Sequence, residues 1–171
     1  MKRKFFAAFL AVLCVSAASC GGNAPAATTA PSEGVEVVFS SADLKAAEVT
    51  EAVLAEIKIN SAIEKGIDSL EAYFPDLNKD GLTDVSYYMC ASGAYPDEIG
   101  VFVFSSADLA EAGKSAVESR LEKQTTTYES YTPEEMYKLE DAVIEVNGNC
   151  IFYAVTENNS RAEEIMNSFI S

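Results

Sequence analysis

Two pairs of Val-, Tyr- and Phe-rich runs, each pair split by a turn, constrain the fold of this chain more than any other feature. Residues 83–91 and 99–104 flank Ser92-Gly93-Ala94-Tyr95-Pro96-Asp97, and residues 142–146 and 150–155 flank Asn147-Gly148-Asn149. β-Branched and aromatic residues suit a pleated, half-buried surface, and Asn-Gly between apolar runs is a strong short-range hairpin signal. Each pair therefore reads as an antiparallel hairpin. Two hairpins can join into one four-stranded antiparallel sheet, an α+β arrangement with helices mainly on one face.

Helical spacing supplies the covering layer. Leu44, Ala47, Val49, Val53, Leu54 and Ile57 recur at roughly helical intervals after Ser40-Ser41-Ala42-Asp43, which has N-cap chemistry, and residues 35–39 read as a short strand before it. Residues 67–74 suggest a short helix ended by Pro75. Ser105-Ser106-Ala107-Asp108 opens a helix expected to run to Gln124, with Leu109, Ala112, Ala116, Val117 and Leu121 on its buried side. Pro133-Glu134-Glu135 starts another short helix, with Pro at the first position and acids in the first turn. Residues 161–170 place Ala162, Ile165, Met166 and Phe169 on one side of a last helix. The hexapeptide Phe39 to Leu44 recurs as Phe104 to Leu109; internal duplication and shared N-cap chemistry both account for so short a match.

The first twenty residues carry an address. Lys2-Arg3-Lys4, an apolar run from Phe5 to Val15, and Ser16-Ala17-Ala18-Ser19 before Cys20 have the layout of an exported lipoprotein leader. The expected domains are a leader at 1–19, a flexible spacer at 20–34 behind lipidated Cys20, and one globular unit at 35–171. The apolar run is shorter than the roughly 20 residues of a permanent span. The spacer is Ala, Thr, Pro, Ser, Gly and Asn with almost nothing large and apolar, so it cannot bury enough surface to fold. An ordinary secretory leader cut near Ala17 or Ser19 is the alternative.

Composition then limits the chemistry. Three basic and no acidic residues leave with the leader, taking the net charge from -15 to -18. Such a surface repels phosphate backbones, which disfavours nucleic acid and leaves cations and basic partners as the suited ligands. The same acidity also serves plain solubility. The chain has no histidine. That excludes Ser-His-Asp triads, Cys-His dyads and histidine zinc sites. Cys90 and Cys150 remain after export, and their spacing fixes no pairing.

One loop has metal-ligand spacing. Asp76, Asn78 and Asp80 stand at alternate positions, Gly81 follows, Leu82 offers a carbonyl and Asp84 a further carboxylate, as in a short Ca²⁺ loop. Tyr87 stands where an EF-hand has its bidentate Glu. Asn-Lys-Asp-Gly is also ordinary turn chemistry.

A second polar set follows from helical geometry. Arg120, Gln124 and Tyr128 are four apart and share a helical face if the helix continues that far, with Glu98 at the start of the strand feeding it. A Glu98–Arg120 pair with Gln124, Tyr128 and Tyr131 beside it reads as a fold-fixing network or as the floor of a ligand site. Asp84-Val85, Ser92-Gly93-Ala94, Asp97-Glu98-Ile99-Gly100-Val101-Phe102, Arg120, Gln124, Tyr128, Tyr131-Thr132-Pro133 and Leu139-Glu140-Asp141-Ala142 carry a family likeness. Over residues 44–169 the chain resembles domain of unknown function family 4358, lipoproteins of Gram-positive anaerobes. The resemblance implies a lipid-anchored α+β domain and supplies no activity.

The expected function is a lipid-anchored extracytoplasmic module that binds a ligand or envelope protein without catalysis. A calcium-binding module using Asp76, Asn78, Asp80, Leu82 and Asp84 is the first alternative. A carboxylate hydrolase is the second; adjacent Asp97 and Glu98 would point to opposite strand faces and so form no acid–base pair.

Overall fold

The computed structural model describes residues 44–170, so the leader, Cys20, the spacer, the strand expected at 35–39 and the cap at 40–43 lie outside the described residues. Five helices and a five-stranded antiparallel sheet follow in the order α1 (Ala46–Glu56), β1 (Ala62–Glu64), α2 (Leu70–Tyr73), β2 (Leu82–Cys90), β3 (Glu98–Phe104), α3 (Ala107–Tyr131), α4 (Met136–Glu140), β4 (Val143–Asn147), β5 (Cys150–Val155) and α5 (Asn159–Asn167). The spatial strand order is β1-β2-β3-β5-β4. Both expected hairpins form and meet through β3 and β5. The fifth strand, β1, escaped the sequence pattern because its three residues are all exposed and show no alternation.

Helices cover both faces of the sheet, not mainly one. Ile99, Val101 and Val103 with Cys150, Phe152 and Ala154 pack against α1 and α5, whereas Phe102, Phe104, Ile151, Tyr153 and Val155 pack against the α2–α3 side. Successive strand side chains alternate faces, so strands covered twice are apolar on every residue. β3 and β5 are buried along their whole length, and Glu98 is their one charged residue. Arg161 of α5 also forms an ion pair with Glu56 of α1.

Two local devices set this geometry. The β4–β5 turn has positive φ at Gly148 and not at Asn149, as the II′ hairpin turn requires at its first central residue. At Gly113 a Cβ would stand 2.8 Å from the Phe104 ring, so glycine lets α3 lie close on the sheet.

α3 continues to Tyr131, beyond its expected end at Gln124. Thr125, Thr126 and Thr127 are poor helix formers, yet each hydroxyl donates back to a carbonyl four residues earlier. Burial of Gln124 and Tyr128 holds that last stretch helical.

Candidate functional site

Polar side chains concentrate where β3 begins and β5 ends. Glu98 opens β3 opposite Val155 and is fully buried on the α3 side. Helical spacing of four delivers Arg120, Gln124 and Tyr128 to that spot from one face of α3. Arg120 donates from Nε to Glu98 Oε2 (3.2 Å) and from Nη2 to Oε1. Gln124 Nε2 donates to Oε1 (2.7 Å), and Tyr153 donates its hydroxyl to Oε2 (3.0 Å). The carboxylate thus accepts four hydrogen bonds, which matches its lone-pair capacity. The Arg120 guanidinium also lies 5.4 Å from the centre of the Tyr73 ring.

Burial works against the Arg120 charge, but the hydrogen bonds and charge of Glu98 outweigh it and raise its pKa. Burial, with the neighbouring Glu98 charge, raises the Tyr153 and Tyr87 phenols well above the ordinary value. The Tyr87 hydroxyl is buried without a hydrogen-bond partner, although Glu98 and Arg120 are close enough to influence its ionisation.

Tyr128 serves a different purpose from Arg120 and Gln124. Its hydroxyl donates to the carbonyls of Gly93 (2.9 Å) and Tyr95 (2.7 Å), fastening the β2–β3 loop to α3. Burial and then the Glu98 charge push its phenol up to about 12. Tyr131 stands outside the network, 76% exposed.

A second ion cluster, built on Lys138, adjoins the first. Asp97 turns away from Glu98 and receives Lys138 Nζ on both oxygens (3.1 and 3.0 Å), while Glu135 takes the same ammonium at 2.7 Å. Burial opposes the Lys138 charge, but the two carboxylates outweigh it and raise its pKa. Asp97 is raised chiefly by burial, with Lys138 offsetting only part and Glu135 adding repulsion. The rings of Tyr95 and Tyr137 lie 5.3 and 5.9 Å from the ammonium. The Lys138 carbonyl accepts from Asn159 Nδ2 (2.7 Å), and Asn159 Oδ1 receives the amide (2.7 Å) and hydroxyl (3.0 Å) of Thr156. This ties α4 to the start of α5. Beside that tie opens a cleft of about 150 Å³ lined by Tyr137, Asp141, Thr156, Glu157, Asn158, Asn159 and Ser160.

The expected calcium loop has other work. Asp84 Oδ2 accepts the amide of Ala46 (2.9 Å), the first residue of α1, and its Oδ1 accepts the amide of Val85 (2.9 Å). Asn78 accepts the Asp80 amide (3.2 Å), an Asx turn, and Leu82 enters β2 opposite Phe104. Asp76 and Asp80 are exposed. Among the described residues no three His, Cys, Asp or Glu side chains gather as such a metal site requires, and Asp84 and Asn78 already spend oxygens on backbone amides. Cys90 and Cys150 lie toward opposite ends of β3, beside Glu98 and at Val103, and are not bridged.

Lys138, Tyr153 and Asn159 escaped the sequence reading, which weighed Asp97 only against Glu98 and not as the partner of Lys138. Lys138 carried the one available signal, as the sole basic residue between Lys123 and Arg161. A family model described as Domain of unknown function (DUF4358) matches residues 55–156. No curated protein and no solved structure matches the chain.

Proposed function

Because the chain belongs to domain of unknown function family 4358, we propose from its geometry and its first twenty residues that it is a lipid-anchored extracytoplasmic module that binds a partner at the cell envelope without catalysing a reaction. The observation carrying this reading is that the two buried charges at the centre of the site, Glu98 and Lys138, are fully engaged by their neighbours. Glu98 spends its acceptor capacity on Arg120, Gln124 and Tyr153, and Lys138 is clamped by Asp97 and Glu135. Groups so engaged fix a surface; a general base needs a lone pair directed at substrate. Meanwhile Tyr131 and Tyr137 are 76% and 50% exposed. Tyrosine offers a large amphipathic contact area at low entropic cost, the property binding surfaces use.

Anchoring and binding are tested together in cells. Radiolabelled fatty acid should enter the wild-type protein and not Cys20→Ser, and a photo-crosslinker replacing Tyr131 should give a discrete adduct in the envelope. Label retained at the wild-type level in Cys20→Ser would refute the anchor. The absence of any discrete adduct from crosslinkers placed at Tyr131 and at Tyr137 would refute the binding role.

A further inference from the structure

We propose that the face formed by α4, the start of α5 and Tyr95 docks a basic polypeptide segment, one of whose arginine or lysine side chains enters the cleft between Tyr137, Asp141 and Glu157. This rests on the binding-module reading and names the chemistry of its partner. The cleft's volume of about 150 Å³ equals roughly five bulk waters, room for a cationic head with its nearest methylenes. Its wall carries two carboxylates and a half-exposed aromatic ring, and none of its lining residues is basic.

Charge complementarity selects the occupant. Between Lys123 and Arg161 the sequence places seven acidic residues against Lys138 alone. Lys138 is buried and already neutralised by Asp97 and Glu135, so it cannot offset the acids at the surface. Among the described residues neither Asp141 nor Glu157 has an ion-pair partner, whereas the side chains of Thr156, Asn158 and Asn159 are engaged in holding α4 and α5. What the cleft offers a visitor is therefore negative charge and a π face. Tyr137 already stands beside one ammonium, that of Lys138, and cation–π attraction strengthens where such a pair is shielded from water. The organic cation is preferred to a compact divalent metal because no third carboxylate is gathered here.

The test uses the full-length chain in mild detergent and a fluorescein-labelled peptide alternating arginine and glycine, read by anisotropy at about 150 mM salt to screen distant charges. Asp141→Asn/Glu157→Gln and, separately, Tyr137→Ser should each weaken binding about tenfold or more, while the charge-matched pair Glu48→Gln/Glu51→Gln on the exposed side of α1 should change it less than about twofold. Unchanged melting temperatures establish that the variants are folded. Equal losses in the two charge-matched pairs would assign the binding to the general acidic field and overturn the proposal. So would no wild-type binding, or binding of arginine amide as tight as that of the peptide. An envelope adduct that persists in Asp141→Asn/Glu157→Gln would leave the binding-module reading standing while this inference fell.

Discussion

Glu98 is the residue on which the sheet end depends, because a carboxylate buried at the start of a central strand is tolerable only while its donors are in place. Arg120 supplies the compensating charge in a two-pronged contact, and Gln124 and Tyr153 complete the acceptor shell. Removing one member of a buried pair strands the other, at a typical cost of about 3–5 kcal/mol, whereas removing both costs much less. Arg120→Ala is therefore expected to lower stability by about 3–5 kcal/mol, and Glu98→Gln/Arg120→Met to recover a large part of that loss. Urea midpoints of the wild type, single and double variants give the comparison. An unshifted midpoint in Arg120→Ala would remove the pair from the account of stability. The pairing of Glu98 with Arg120 and Gln124 was legible in the sequence because helix periodicity fixes which side chains share a face. Asp97 with Lys138 was not, because they stand 41 positions apart and meet only once α4 has docked.

At the scale of elements, the loop from Asp76 to Asp84 shows how one composition serves two chemistries. Alternating oxygens and a glycine are what a calcium loop and a tight turn into a strand both use. The contacts of Asp84 favour the turn. Asp84 is drawn to the N-terminus of α1, where its carboxylate satisfies the Ala46 amide and meets the positive end of the helix dipole. Lys45, at the local cap position, contributes no side-chain cap, so the cap comes from 38 residues away and is invisible to a local pattern. Asp84→Ala should consequently destabilise the fold by about 0.5–2 kcal/mol, the usual range for a lost cap. The decrement should be the same in chelator and at about 1 mM Ca²⁺, a concentration suited to weak extracellular sites. Thermal unfolding in the two buffers is the measurement; a decrement present only with Ca²⁺ would establish the metal reading instead. The same contrast explains the long α3, where a local scale ends the helix at the threonines and two buried side chains carry it onward.

On the scale of the whole molecule, the hairpins were legible from composition, but the number of layers was not. Uninterrupted apolar runs such as residues 99–104 and 150–155 signal strands covered on both faces, and the expectation of helices mainly on one face gave that feature too little weight. Covering both faces has a thermodynamic consequence. Ile99 belongs to the core beneath α1 and α5, and Phe102, three residues along the same strand, to the core beneath α3. The two cores share β3 and β5 as a common wall, so neither can open without disrupting strands that the other needs. Ile99→Ala should cost about 2–5 kcal/mol and Phe102→Ala about 3–5 kcal/mol, and each should shift one single cooperative transition. Urea unfolding followed by far-ultraviolet circular dichroism and by tyrosine fluorescence provides the check, since coincident curves in both variants are required of a shared wall. A variant whose two signals separated, with one core melting while the other held, would show that the layers on the two faces of the sheet are independent folding units.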